Sequence, residues 1–320
     1  MRSRRDFLAS AAGAATFYAL PAFGQSAATQ VVGVSRRGVG AIKVTALLDG
    51  FIPLEPSTLT GSDPAQIAAL MQSAFLSGTA VDTSVNTYVV ETGDRTVLVD
   101  GGVVIGPDGA PAFGPTTGKT GAAFEAAGFN ADQIDTVFCT HLHPDHIGFF
   151  LDGAEARFKN ADLVVHEADH AFWTAAENFT GADEQTQSFA AAAQAVVAAY
   201  GDRVSLVKGG AAVAPGLEVM HLPGHTPGHS GLVASSGDQS LLIWGDIVHV
   251  GVAQFAQPGW TIGFDVDQPA AAATRKKLFD QVATDRLEIA GAHIDFPSFG
   301  HLVKAAEGYR FAPSRWDHQL

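Results

Sequence analysis

The chain has 320 residues, of which 47% are hydrophobic and 16% are charged. This composition supports a large buried core and excludes a wholly disordered chain. The formal net charge of −14 argues against nucleic acid and anionic membrane surfaces as main partners, because both attract positively charged proteins. The single cysteine, Cys139, excludes an intramolecular disulfide framework and a cysteine-rich zinc site.

Residues 1–24 have the pattern of an export signal. A basic start that includes Arg4 and Arg5 precedes an Ala-rich apolar run, and the small residues Ala22 and Gly24 suit a signal-peptidase site. The segment around the two arginines resembles a twin-arginine signal. We therefore predict cleavage after Gly24 and a periplasmic or secreted protein without stable membrane insertion. A membrane anchor is the alternative, but the apolar run is at the short limit for a membrane span.

The remaining sequence alternates between strand and helix patterns. We expect an N-terminal extension over residues 25–42 and a single domain over residues 43–320. Strands interleaved with helices predict an α/β fold in which helices cover sheets. Apolar periodicity predicts helices over residues 121–127, 182–200 and 268–283. Short β-rich runs predict strands over residues 44–48, 87–90, 96–99, 136–140, 163–166, 217–222, 231–234, 241–244 and 287–292.

A cluster of potential metal ligands follows the predicted strand over residues 136–140. Three histidines and one aspartate, His141, His143, Asp145 and His146, fall within six residues. Pro144 interrupts a regular strand there, so that the side chains can converge in a loop. Imidazole and carboxylate groups suit zinc and similar divalent metals. The alternative is a solvent-exposed His-rich loop.

Further residues of the same types argue against that alternative. The segment 221–229 contains His221, His225 and His229, Asp246 follows the predicted strand over 241–244, and His293 follows the last predicted strand. Repeated imidazole and carboxylate groups at strand ends predict a metal site.

The order of these motifs resembles the ligand series of the metallo-β-lactamase superfamily: HxHxDH, then GHTPGH, then a strand-end Asp and a late strand-end His. The sequences THLHPDHIGF at 140–149, GHTPGH at 224–229 and GYRF at 308–311 are similar to its methyl parathion hydrolase branch, and the similarity extends over about residues 43–313. The resemblance implies an αββα sandwich with a two-metal site at one edge, and a homodimer.

The resemblance also implies a role for each candidate ligand. Outside the ligand set, it places Asp100 and His229 around the site, with Asp100 orienting a ligating histidine. His301, in a later predicted loop, is a further candidate for an outer role. The expected cofactors are two divalent metal ions, zinc first, with manganese, cobalt and iron as alternatives. The ligands would be His141, His143 and His225 for one metal, Asp145, His146 and His293 for the other, and Asp246 as the bridge.

Neighbouring families are disfavoured by the same residues. The β-lactamases with a cysteine ligand have that cysteine at the position of Asp246, and Cys139 is interpreted as a core residue. The acidic balance disfavours the RNA-processing members. Glyoxalase II members bind glutathione with basic residues, but the basic run 275–277 is interpreted as a solvated helix face.

The predicted chemistry is hydrolysis. A hydroxide that bridges two metals would attack a carbonyl or phosphoryl centre, so no Ser or Cys nucleophile is needed. Asp246 and Asp145 are the predicted catalytic residues, and Asp145 would move a proton after the attack. A metal-binding module without turnover is the alternative from another class, but the complete ligand series argues against it.

An apolar pocket is expected beside the metals. His249 and Phe264 replace aliphatic residues of the phosphotriesterase pattern, and a narrower slot favours a planar lactone or aryl ester over a phosphotriester. We therefore predict a lactonase and arylesterase with phosphotriesterase side activity; an organophosphate hydrolase and an N-acyl-homoserine lactonase are alternatives. Core packing is the alternative for each aromatic residue. The predicted pocket residues are Phe113, Trp173, Phe189, His249, Ile262 and Phe264.

Overall fold

Two β-sheets form the centre of the structure, a computed structural model that describes residues 30–318. The predicted export signal, residues 1–24, lies outside the described residues. Residues Val32–Leu320 form one compact unit, and of the other unit, Met1–Val31, only Gln30 and Val31 are described.

The first sheet has seven strands. Its first four strands in space pair antiparallel, and the last four pair parallel. In spatial order the strands are β1 (Val34–Val39), β2 (Ile42–Leu54), β4 (Val81–Glu91), β5 (Thr96–Val99), β6 (Thr136–Phe138), β9 (Asp162–His166) and β10 (Val204–Val207).

The second sheet also has seven strands. All its neighbours pair antiparallel except β14 and β16, which run parallel. In spatial order the strands are β11 (Ala212–Ala214), β12 (Leu217–His221), β13 (Ser230–Ser236), β14 (Gln239–Ile243), β16 (Glu288–Ala290), β17 (Gly300–Lys304) and β18 (Tyr309–Pro313). Two short ribbons pair β3 (Leu59–Thr60) with β15 (Thr261–Ile262) and β7 (Leu151–Asp152) with β8 (Glu155–Ala156).

Helices connect many of these strands. Three of them begin after an aspartate, Asp63, Asp183 or Asp267, whose carboxylate accepts a backbone N–H of the first turn. The α-helices are α1 (Pro64–Ser73), α2 (Thr120–Ala126), α3 (Glu167–Thr174), α4 (Glu184–Tyr200), α5 (Gly251–Gln254) and α6 (Gln268–Asp285). Short 3-10 turns span Pro56–Thr58, Ala131–Gln133, Gly148–Phe150, Ala176–Phe179 and Gly201–Arg203.

Alternating side chains on the strands create the layers. On β5, Leu98 packs in a cluster with residues of α2, α3 and α4, whereas Val97 and Val99 pack in a second cluster with residues of the opposite sheet. Beyond the second sheet, Leu242 packs with Phe279 of α6. The layers are therefore helices, sheet, sheet and helix, which confirms the predicted αββα sandwich.

Several elements differ from the sequence predictions. β1 lies in the segment expected to be an N-terminal extension, yet it pairs along its whole length with β2. Its sequence, VSRRGV, lacks the apolar run by which strands are recognised. The hairpin turn places Gly40 at φ +59°, a conformation that favours glycine. The helices α1 and α3 and the C-terminal hairpin of β17 and β18 were also missed.

The sheet topology determines where the site forms. β5, β6 and β9 run parallel in the first sheet, as do β14 and β16 in the second. Carboxyl ends of parallel strands meet at one edge of a sheet. The loop with His141 follows β6, Asp246 follows β14 and His293 follows β16, so all three reach this edge.

Candidate metal centre

Buried His and Asp side chains converge at this edge in groups that could each hold a metal ion. Within each group, the candidate ligand atoms lie within 4.8 Å of one another. The structure therefore brings all the predicted ligands together. One group contains His141, His143 and His225, and another contains Asp145, His146, Asp246 and His293.

Asp246 lies between the two groups. Its Oδ2 atom is 3.3 Å from Nε2 of His225 and 3.1 Å from Nε2 of His293. Its Oδ1 atom is 3.1 Å from Nε2 of His146. One carboxylate thus reaches both groups, as a bridging ligand must.

His229 supports Asp246 from outside the ligand set. Its Nδ1 donates to the carbonyl oxygen of Leu222 at 2.8 Å, and its Nε2 accepts from the backbone N–H of Asp246 at 2.9 Å. This pairing requires a neutral imidazole, and burial lowers its pKa to about 3. Gly245 has φ +58°, and a Cβ there would lie 2.6 Å from Nε2 of His229, so only glycine fits this turn.

Hydrogen bonds behind the ligands orient their rings. Nδ1 of His146 donates to Oδ2 of Asp100 at 2.8 Å, and Nδ1 of His293 donates to the carbonyl oxygen of Ser84 at 2.8 Å. Asp100 also accepts from the backbone N–H of Thr140 at 2.8 Å, which ties the ligand loop to the end of β5. These bonds turn Nε2 of both rings toward Asp246.

The sequence prediction missed the partner of His225. Nδ1 of His225 donates to Oδ1 of Asp265 at 2.8 Å, and Nη2 of Arg275 lies 3.8 Å from Oδ2 of the same carboxylate. Arg275 is 1% exposed, so its interpretation as part of a solvated helix face was wrong. Helical spacing contained the signal, because Arg275 lies four residues after the buried Ala271 and three before the buried Leu278.

Asp169 of α3 was also missed. Its carboxylate accepts from the backbone N–H of Leu142 at 2.9 Å and from that of Gly228 at 3.0 Å. A Cβ at Gly228 would lie 2.3 Å from the backbone nitrogen of Asp169, so the two segments are in close contact. Asp169 therefore joins the HxHxDH loop to the GHTPGH loop. No sequence motif marks it.

Burial and neighbouring carboxylates set the pKa values of the cluster. Burial lowers the pKa of His141 and of His143. Burial also opposes the protonation of His225 and His293, but hydrogen bonds and charge from the carboxylates raise their pKa to about 9 and about 10. Although burial opposes its ionisation, the neighbouring histidines hold the pKa of Asp246 well below its usual range.

The residues present fit divalent metal ions. Nε2 of His146 and Oδ1 of Asp246 are buried and, although 3.1 Å apart, are not aligned for a hydrogen bond with each other or with another described residue. Nδ1 of His143 lies 3.0 Å from Nε2 of His141 and 2.9 Å from Nε2 of His225. Converging nitrogens and unpaired buried polar atoms are satisfied by a cation with imidazole and carboxylate ligands.

A small cavity of about 50 Å³ opens onto the ligands. The rings of Phe113 and Phe189 meet edge to face at 6.1 Å on one side of it. Ile52 and Leu54 of β2 also line the cavity, and no sequence motif marks them. Phe264 completes the apolar lining. The cavity is therefore apolar around a polar base, as a ligand site is.

His249 contacts two of the candidate metal ligands directly. Its Nε2 lies 3.1 Å from Oδ2 of Asp246, and its ring stacks on that of His293 at 5.2 Å. With His225 and Asp246 it forms a third group of possible ligands. Its side chain also lines the cavity, so His249 is both a possible metal ligand and a pocket residue.

Two predicted pocket residues do not line this cavity. Trp173 is buried behind His143, with ring centroids 5.2 Å apart, and stacks on Phe179 at 5.3 Å. Ile262 is fully buried in a separate apolar cluster with Leu59. Both predictions are corrected, because these side chains pack into the interior.

Two histidines named from the sequence also lie elsewhere. His221 stacks on His166 at 4.1 Å. His301 pairs with Ala312 between β17 and β18, and within residues 30–318 its ring makes no hydrogen bond or ring contact with a ligand. The prediction of an outer role for His301 at the metals is therefore not supported by a contact.

Sequence comparison identifies the family. The profile of the Metallo-beta-lactamase superfamily matches residues 80–293, which include all the ligands described above. The chain belongs to the metallo-beta-lactamase superfamily. It is a metal-dependent hydrolase, as the motif series predicted.

Relatives within the superfamily include lactonases. The chain is 24% identical over 254 residues to the N-acyl homoserine lactonase AiiB of Agrobacterium fabrum (strain C58 / ATCC 33970), covering 74% of this chain and 89% of the relative. The crystal structure of a hydrolase, AbOPH, superposes with a TM-score of 0.83 at 29% identity, covering 90% of this chain and 100% of that chain. AidC, a dizinc quorum-quenching lactonase, gives a TM-score of 0.83 at 26% identity, covering 91% and 100%.

These relatives support the superfamily assignment, while the methyl parathion hydrolase branch stays a prediction. Among the described residues of this superfamily member, no helix is long and apolar enough to cross a membrane.

Proposed function

We propose that this protein hydrolyses lactones and aryl esters at a dinuclear metal centre, with zinc as the first candidate metal. The position of Asp246 between the two ligand groups carries this proposal, because a shared carboxylate is typical of two-metal hydrolase sites. The likeness to a dizinc lactonase and to an N-acyl homoserine lactonase supports the choice of lactones.

The residues around the cavity have different roles in this reaction. The candidate ligands would hold two divalent ions, which would supply an acidified water and polarise the substrate oxygen. Asp145 lines the cavity, and neighbouring histidines lower its pKa although burial opposes this, so it is ionised at neutral pH. We assign it the transfer of the proton that the attacking water loses to the leaving oxygen of the substrate. Asp100 and Asp265 keep His146 and His225 oriented.

The shape of the cavity favours a flat substrate. The edge-to-face pair of Phe113 and Phe189 faces the metal ligands, and His249 and Phe264 add further lining. Planar rings pack well against aromatic side chains. Ile262, another predicted pocket residue, does not line the cavity, so the narrow slot depends on His249 and Phe264.

A panel of substrates tests the proposal. The metal-loaded enzyme is assayed for kcat/KM on an aryl lactone, N-acyl-homoserine lactones, an aryl ester, a phosphotriester and a β-lactam. We expect the lactones and the aryl ester to exceed the phosphotriester, and chelation to abolish every activity. A higher kcat/KM for the phosphotriester would instead favour an organophosphate hydrolase. Equal kcat/KM values for N-acyl-homoserine lactones with different acyl chains would weigh against an N-acyl-homoserine lactonase.

Export to the periplasm or the exterior remains part of the proposal, because the basic start and the apolar run of residues 1–24 suit a twin-arginine signal.

A further inference from the structure

A larger groove lies beside the small cavity. Its volume is about 680 Å³, and it shares Thr83, His249 and His293 with the cavity of about 50 Å³. Small-molecule sites usually enclose roughly 300–1,000 Å³. The small cavity therefore has room for a reacting group only, and the rest of a larger substrate must extend beyond it.

The groove presents apolar side chains to solvent. The ring of Phe75, just after α1, is 96% exposed, and its neighbour Leu76 is 40% exposed. Phe75 has φ +58°, a conformation that bulky residues rarely adopt. On the other side, Phe255 and Phe311 stack with their centroids 5.6 Å apart. Exposed apolar surface of this kind beside a reactive centre is typical of a ligand site.

The charged groups at the groove restrict what it binds. Asp82 and Asp295 line it together with Arg310, His249 and His293. Because acidic and basic groups offset one another there, the groove offers an anionic ligand no strong attraction. An uncharged apolar chain suits both the aromatic surface and this charge balance.

We propose that this groove, formed by Phe75, Leu76, Val81, Val252, Phe255 and Phe311, binds the linear acyl chain of the substrate. The inference rests on the proposed hydrolysis, and names the substrate as an acyl lactone or ester with a chain of several carbons. His249 and His293 connect the two spaces, so a carbonyl at the metal ligands directs its acyl chain into the groove.

A homologous series of 4-nitrophenyl esters, from acetate to decanoate, tests the assignment on the metal-loaded enzyme. We expect kcat/KM to rise about threefold to fourfold for each methylene buried, until the groove is filled. Phe75→Ala should flatten this rise, so that the ratio of kcat/KM for decanoate to kcat/KM for acetate falls in the variant. Ile105→Ala is the matched control, because Ile105 is 46% exposed but lines a different surface cavity.

Several outcomes would overturn the inference. One is an identical chain-length profile in Phe75→Ala and the unmodified enzyme. Another is a dimer in sedimentation experiments that Phe75→Ala dissociates without changing the profile, since the ring would then be covered by a second copy. If the esters are not turned over, calorimetric titration with the uncharged alcohol 1-decanol replaces the assay, and equal affinity of Phe75→Ala and the unmodified enzyme for it overturns the assignment of the groove. Hydrolysis of esters but not lactones would refute the lactonase proposal and leave this inference standing.

Discussion

The carboxylate of Asp265 lies 2.8 Å from Nδ1 of His225, on the side of the ring that faces away from the other ligands. Arg275 holds this carboxylate from behind, and its guanidinium also donates to the carbonyl oxygens of Ile247 and Trp260. A buried chain of guanidinium, carboxylate and imidazole thus turns Nε2 of His225 toward Asp246, 3.3 Å away.

We expect Asp265→Asn to lower metal affinity and kcat/KM by about 10–100-fold, because the loss of such an outer partner weakens a ligating histidine by that amount. Asp267→Asn is the matched control: Asp267 accepts from the backbone N–H of Ala270 at the start of α6, and asparagine serves that purpose equally well. Competition with a metal chelator gives the affinity. Equal affinities in both variants would contradict a role for Asp265 in holding His225.

Asp246→Ala should disrupt both metal positions, since its two oxygens face different ligand groups. We expect two metal ions per chain in the unmodified protein, and at least about a hundredfold loss of kcat in the variant, because metal assistance supplies several kcal/mol. Elemental analysis and steady-state kinetics measure these quantities, with Asp238→Ala on an exposed turn as control. A fully active enzyme with one bound metal would refute the dinuclear site.

The metal-free protein should lose stability as the pH rises. The folded-state pKa values of His225 and His293, about 9 and about 10, lie above the ordinary value of 6.5. Their protonation therefore stabilises the fold fully below pH 6.5, and this contribution is lost as the pH rises through 9 and 10. Urea unfolding at several pH values, before and after metal loading, measures it. The loaded protein should vary less, because bound metals replace these protons. Metal-free stability that increases between pH 6.5 and 10 would contradict the prediction.

The ratio of lactonase to phosphotriesterase activity should depend on His249 and Phe264. A clash of methyl size with a phosphotriester arm is worth roughly 1–3 kcal/mol, or about 10–200-fold in kcat/KM. The double variant His249→Leu/Phe264→Leu should shift the ratio toward the phosphotriester, and both single variants are needed because neighbouring effects do not add. Ile262→Val, in the separate buried cluster, should leave the ratio unchanged. A higher kcat/KM for the phosphotriester than for the lactone in the unmodified enzyme would refute the proposal of a narrow slot.

Export should require the arginine pair of the N-terminal segment. Replacing Arg4 and Arg5 by lysine should leave the precursor in the cytoplasm, as expected for a twin-arginine signal. Fractionation followed by immunoblotting measures the distribution. Unchanged delivery of the variant would point to the general secretory route.

The ligand series could be predicted from the sequence because its chemistry is local. His141, His143, Asp145 and His146 lie in one short loop, and His225, Asp246 and His293 each follow an apolar strand. The interleaving of strand and helix patterns also predicted an α/β fold in layers, whereas the αββα sandwich was implied by the family resemblance. β1 escaped this reasoning because its pairing with β2, rather than an apolar run, makes it a strand.

The outer partners were decided by tertiary structure. Asp265 is 40 positions from His225, and Asp169 is 27 positions from Leu142 and 59 from Gly228. A buried carboxylate has no periodic signature, because its place depends on whichever donor the packing of distant elements brings to it.

The composition of the cavity was decided in the same way. Phe189 and Trp173 both lie within a short distance of His143, with ring centroids at 5.8 and 5.2 Å, yet Phe189 lines the cavity and Trp173 does not. Core and cavity walls are both apolar, so the sequence by itself determines that such residues are buried near the ligands. Only the packing of α3 and α4 against the first sheet decides which ring borders empty space.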